Sequence, residues 1–244
     1  MTEQGWRTCA DPKAMLKHLR GKASGRKLRL LACACCRRVW DLLPAEGSRH
    51  AVLVAERFAD GLASADELTT AGRRATRPAR DATARRISSF PGAAGKAAAA
   101  LAGSDAYSRV YAAHGERSRN DAPRRAAREL GLSAGAAQDP RDAYLEAEAH
   151  EAAEQAGLLR CLFGNPCRPI SFDPTWRTPL VVSLAEAAYE RRLLPSGELD
   201  PARLAVLADA LEEVGAHPGL LAHLRGPGPH VRGCFAVDLA LGRG

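Results

Sequence analysis

Proline-led helix starts punctuate this chain, and they constrain its fold more than any other feature. Asp-Pro occurs at 11–12, 139–140, 173–174 and 200–201, and Thr178-Pro179 is a close variant. In each pair the first side chain can accept from exposed amides of a helical first turn. The proline follows at the first helical position, where its missing N–H forfeits no hydrogen bond. Periodic apolar stretches run on from these starts. After Asp200-Pro201, Leu204, Leu207, Ala208, Leu211 and Val214 recur at helical spacing until Gly215. Asp139-Pro140 opens a longer stretch through Leu145, Ala149, Ala152, Ala156, Leu159 and Phe163, closed by Gly164. Thr178-Pro179 predicts a helix that ends before Pro195-Ser196-Gly197, and Arg26 to Leu43 and Ser48 to Asp60 read as two more. No alternating stretch of useful length appears, so a sheet is not expected. The predicted fold is all-α, an irregular multi-helix bundle.

Composition divides the chain into three parts. Residues 1–62 and 139–244 carry the apolar periodicity and are expected to pack on each other as one core, the N-terminal helices against the C-terminal ones. Residues 63–138 are rich in Ala, Arg, Ser and Gly, with few large apolar side chains, and read as a helical insertion or spacer. Aromatic residues make up only 5% of the chain, so its helices should pack closely. The net charge of +7 comes from arginine, since lysine occurs only at 13, 17, 22, 27 and 96. A basic balance admits nucleic acid as a partner, although joint enrichment in Ala, Arg, Gly and Pro is also what a GC-rich genome imposes.

Several classes are excluded or disfavoured. The segment Met1 to Arg7 is polar and no apolar h-region follows it. No run approaches the roughly 18 apolar residues a membrane helix needs, so no membrane partner is expected. The seven cysteines are odd in number and crowd at Cys33, Cys35 and Cys36, unlike a secreted disulfide framework. A cytoplasmic location with reduced thiols is the expectation. There is no P-loop, G-x-G-x-x-G, H-E-x-x-H or G-x-S-x-G motif, and no catalytic residue is named.

Candidate sites gather in two places. Projected as a helix, Arg26 to Leu43 puts Leu28, Leu31, Ala32, Cys35, Val39 and Leu42 on one stripe. Cys33, Cys36 and Trp40 fall on its flank, and Lys27, Arg37 and Arg38 lie opposite, toward solvent or a partner. Cys33 and Cys36 have C-x-x-C spacing, but a redox pair would want a helix N-terminus. A zinc site needs two further ligands, and the C-terminal segment with His223, His230 and Cys234 supplies them. Cys33, Cys36, His230 and Cys234 would make a Cys3His set, with His230 and Cys234 one helical turn apart; the alternative is that all four simply pack. No cofactor is required, and zinc is the one the spacing admits.

The run Leu224-Arg225-Gly226-Pro227-Gly228-Pro229-His230-Val231-Arg232-Gly233-Cys234 is the most distinctive in the chain. Its Gly-Pro-Gly-Pro is a stiff turn, and Pro229 is placed to begin a last helix through Leu241. Amides at that start, with Arg225, Gly228, His230 and Arg232, would form an anion pocket; a turn that only orients the helix is the plainer reading. Asp238 projects inward and needs a partner, for which Arg37 or Arg38 is expected. Arginines at 73, 74, 77, 80, 85, 86, 117, 119, 124, 125 and 128 make the middle basic. Phe90, Tyr107 and Tyr111 are its few aromatics able to stack on bases.

Three stretches resemble an expanded, paralogue-rich family of uncharacterised planctomycete proteins. They are Gly21-Lys22-Ala23-Ser24 with the run from Arg26 through Ala32-Cys33-Ala34-Cys35-Cys36-Arg37-Arg38-Val39-Trp40; Phe163-Gly164-Asn165-Pro166 with Arg168-Pro169; and Leu207 through Glu212 continuing to Arg225 through Cys234. The resemblance covers roughly 6–62 and 141–242 and implies no particular activity. Family members carry Phe where this chain has Cys167 and Cys where it has Leu224, which implies that neither position is an obligatory ligand. The stretch Leu207 to Gly215 is also similar to a short helical repeat of the same bacteria, which points to interaction modules. The function expected is a protein-interaction or adaptor module without catalysis. Its rivals are a nucleic-acid-binding protein using the arginine-rich middle, and a zinc- or anion-binding regulatory protein.

Overall fold

The computed structural model describes residues 1–43, 46–84 and 140–243. Every proline-led start within them begins a helical turn. Asp11 accepts from the Lys13 amide at 2.8 Å and opens α2 (Pro12–Leu19), after a short α1 (Glu3–Thr8). Asp173 caps a 3-10 turn (Pro174–Trp176), and Thr178 accepts from the Val181 amide to open α7 (Pro179–Glu190). Asp200 accepts from the Ala202 amide at 2.9 Å and opens α8 (Pro201–Glu213). His217 does the same for Gly219 at the head of α9 (Pro218–Leu224). At the head of α5 (Ala65–Ala84), which has no proline, Ser64 and Glu67 exchange side-chain bonds with each other's amides, a capping box.

The chain forms two compact units, 25–155 and 1–24 with 156–244, and the division falls inside α6 (Pro140–Phe163). These units do not follow the boundaries at 62 and 138 that composition suggests. The N-terminal residues that share a unit with the C-terminal helices are 1–24, which periodicity alone leaves inconspicuous because α1 and α2 are so short. What fixes them there is specific: the buried Trp6 indole N–H donates to the Gly164 carbonyl at 2.7 Å, and Arg160 donates to the Cys9 carbonyl at 2.8 Å. The expected insertion at 63–138 lies mostly outside the described residues.

In the unit of residues 25–155, α3 (Gly25–Arg37) packs on α4 (Glu46–Ala59), and α4 packs on α5. Helix α3 is buried on every side from Leu28 to Arg37, not along one stripe. It also stops at Arg37 rather than running to Leu43: the Val39 amide bonds back to Cys36, and a 3-10 turn (Trp40–Leu42) follows. Arg37, expected to face outward, is 3% exposed and pairs through two nitrogens with Glu56 of α4. Arg38 pairs with Glu151 and Glu154 of α6. A buried guanidinium is tolerable only with such a partner, and both arginines have one.

In the other unit α7 packs on α8 and on α10 (Phe235–Leu241), and α8 packs on α9. Leu204, Leu207, Ala208 and Leu211 of the predicted stripe are fully buried, and Val214, just past the end of α8, is half-buried. Between α7 and α8 runs a ribbon of two-residue strands, β1 (Arg192–Leu193) and β2 (Glu198–Leu199), antiparallel with Arg192 opposite Leu199. Strands this short carry no readable alternation. The prediction of an all-α fold therefore holds, with this one ribbon among the described residues.

Candidate functional site

The last third of the chain differs most from its helical reading at Gly226–Cys234. The predicted helix does not begin at Pro229. Gly228 has φ +85°, the Gly228-Pro229 peptide is cis, and the chain continues extended. Val231 bridges Glu198, and the Leu199 amide donates to the His230 carbonyl at 2.8 Å. A turn with Gly233 at φ +87° then leads to Cys234, which directly precedes α10. The loop also presses on α6: a Cβ at Gly157 would lie 2.9 Å from Pro229 Cδ, so only glycine admits it this close.

This path brings together Cys161 in the last turn of α6, His223 in the last turn of α9, His230 in the loop and Cys234 at the head of α10. One donor atom from each lies within 4.8 Å of all the others. His223 Nε2 is 3.2 Å from Cys234 Sγ, and Cys161 Sγ accepts from the Val231 amide at 3.4 Å. His230 Nε2 lies 3.1 Å from the Gly226 carbonyl. A carbonyl can only accept, so the proton sits on Nε2 and leaves Nδ1 as a lone-pair donor. That Nδ1 is buried and has no hydrogen-bond partner. Cys161, His230 and Cys234 are buried and His223 is half-buried, its ring 4.8 Å from that of His230 and 4.5 Å from Phe235.

Burial alone would push the Cys234 thiol up. The hydrogen bond to Cys161 and the charge and hydrogen bond of His223 outweigh burial, and they hold the thiol well below the usual range. For His230 burial pulls down, but the Cys234 contact and the Gly226 carbonyl raise it on balance. Cys33 behaves oppositely. Burial, with Glu56 adding to it, pushes its thiol well above the usual range. Two soft sulfurs and two imidazole nitrogens in one buried cluster are the donor types of a tetrahedral metal centre.

The set drawn from sequence was half of this one. His230 and Cys234 belong to the cluster, but a turn brings them together rather than a shared helix face. Cys161 and His223 stand in place of Cys33 and Cys36, which lie buried in α3 of the other unit, Cys33 Sγ 3.9 Å from the Val52 carbonyl. His223 was legible from its closeness to His230 in the chain. Cys161 was not, because it stands 62 residues before His223 in the chain.

The other expected sites fare differently. Arg225 reaches Asp209 at 2.7 Å and also pairs with Glu212, while Arg232 is buried, 3.3 Å from Glu190 and 4.8 Å over the Tyr189 ring. With carboxylates on both arginines and the helix start moved to Phe235, Arg225, Gly228, His230 and Arg232 are not arranged around a shared helix N-terminus. Asp238 is buried in the first turn of α10; Glu56 pairs with Arg37, and Glu151 and Glu154 pair with Arg38. Of the basic middle, Arg73 and Arg74 are exposed on α5, and the arginines from 85 to 128 lie outside the described residues.

A second feature of the unit of residues 1–24 and 156–244 is a groove of about 270 Å³ between α7 and α8. Leu184, Ala187, Asp200, Ala202, Arg203 and Val206 line it. Leu180, one turn before Leu184, is 56% exposed and Val206 is 51% exposed. No helix among the described residues is long and apolar enough to cross a membrane. No family model, curated protein or solved structure matches the chain.

Proposed function

We propose that the protein is a non-catalytic interaction module that receives an apolar segment of a protein partner in the groove between α7 and α8. The observation that carries this reading is the apolar lining of half-buried Leu184 and exposed Val206, with exposed Leu180 beside it, on two helices that bury Val181, Ala185, Leu204 and Leu207 elsewhere. A contiguous apolar surface with a charged rim is the usual form of a binding site. The thiol–imidazole cluster supports the same reading. Its residues do not line the groove, and three of the four are buried, so they serve to tie chain segments together rather than to meet a substrate.

A photo-crosslinking amino acid at Val206, compared with one at the exposed Leu53 of the other unit, tests the proposal in the native cell. A discrete adduct from position 206 that disappears with Leu184→Asp is the expected result. Indistinguishable products from the two positions would contradict it.

A further inference from the structure

We propose that Cys161, His223, His230 and Cys234 bind one Zn2+ ion in a closed tetrahedral site, and that this ion is structural for the unit of residues 1–24 and 156–244. Four independent features point to it. The first is the donor set: two thiols and two imidazoles converge with mutual distances of at most 4.8 Å. Around tetrahedral zinc the donor atoms stand roughly 3.3–3.8 Å apart, from bond lengths near 2.3 Å to sulfur and 2.0–2.1 Å to nitrogen. The 3.2 Å separation of His223 Nε2 and Cys234 Sγ is already close to this, and no pair must close by more than about 1–1.5 Å.

The second feature is His230. Its Nε2–H is spent on the Gly226 carbonyl, which fixes the ring and aims chemistry at Nδ1, a buried atom without a hydrogen-bond partner. A metal-bound histidine is held in this way, its far nitrogen donating to a carbonyl or carboxylate. An orphaned buried nitrogen costs stability unless something occupies its lone pair, and a metal ion does.

Third, the Val231 amide donates to Cys161 Sγ at 3.4 Å, an arrangement that favours sulfur in its thiolate form. Fourth, charge closes. Two thiolates and two neutral imidazoles carry −2 in total, so Zn2+ leaves a neutral centre, which burial tolerates where a lone charge is costly. Metal binding expels the thiol protons to solvent and forms two Zn–S and two Zn–N bonds, with no electron transfer. All four positions are taken by protein, and a zinc site without an open position is structural rather than catalytic. The ion joins the end of α6, the end of α9, the cis-proline loop and the head of α10. Binding energy at such a site is folding energy.

The test uses the full chain purified under reducing conditions. Elemental analysis should return one zinc per chain. Replacement by Co2+ should give the intense visible bands of a tetrahedral thiolate site, abolished by added Zn2+. His223→Cys should keep one metal per chain and strengthen the sulfur-to-cobalt charge-transfer band, whereas Cys36→Ser should change neither. After chelation, hydrogen exchange should accelerate across 156–243 and stay unchanged in α3 and α4. Sub-stoichiometric metal after saturation with Zn2+, an octahedral cobalt spectrum, a Cys161–Cys234 disulfide in the purified chain, or unchanged exchange after chelation would each overturn the proposal. The cobalt spectrum is read on the unsubstituted protein, so a variant that fails to fold does not decide the matter.

Discussion

Arg37 and Glu56 bury opposite charges against each other, each side chain at most 4% exposed. Removing one partner strands the other in a medium that cannot solvate it. Glu56→Ala should therefore cost about 3–5 kcal/mol, read from the urea midpoint. Replacing both, as Arg37→Met with Glu56→Leu, should recover most of that loss. The cysteines separate as sharply. Cys167 is exposed and Cys33 is buried, with its thiol pushed well above the usual range by burial. Iodoacetamide at mild alkaline pH should label Cys167 rapidly and reach Cys33 only in denaturant. The folded state favours the neutral thiol of Cys33. Its contribution is complete below the ordinary thiol range and is lost as pH rises from there through the raised folded value. Stability of the unit of residues 25–155 should fall in alkali, and Cys33→Ala should flatten that fall.

Caps and close approaches decide where the helices begin and what they touch. Asp200→Ala removes the acceptor for the Ala202 amide and should cost about 1 kcal/mol, a loss that Asp200→Ser should largely avoid. Gly157→Ala sets a methyl 2.9 Å from Pro229 Cδ, a ring atom with little room to give. It should destabilise the unit of residues 1–24 and 156–244 by about 1–3 kcal/mol in a thermal scan, and lower metal content with it. The caps were legible because capping chemistry is local: an acceptor side chain, a proline and a periodic stretch stand side by side in sequence. The start of α10 was not. Pro229 has every mark of a first helical residue, but Gly228 turns the chain with a positive φ and the strand partner Glu198 claims Val231. That competition is non-local, and local signals cannot show it.

The chain divides into two compact units, 25–155 and 1–24 with 156–244. The helical class and most element positions followed from periodicity and punctuation, while the grouping of elements depended on particular long-range bonds, such as Trp6 to Gly164. The cluster divides in the same way. His223, His230 and Cys234 crowd together in sequence and were legible, whereas Cys161 reaches them only through the packing of α6 against the loop that Gly157 permits. The C-x-x-C spacing at Cys33 and Cys36 drew attention because local spacing is what a sequence displays. X-ray absorption at the zinc edge of the full chain tests the resulting picture most directly. A first shell of two sulfurs near 2.3 Å and two nitrogens near 2.0 Å is predicted. A shell of oxygen and nitrogen alone, or one with three or four sulfurs, would contradict it.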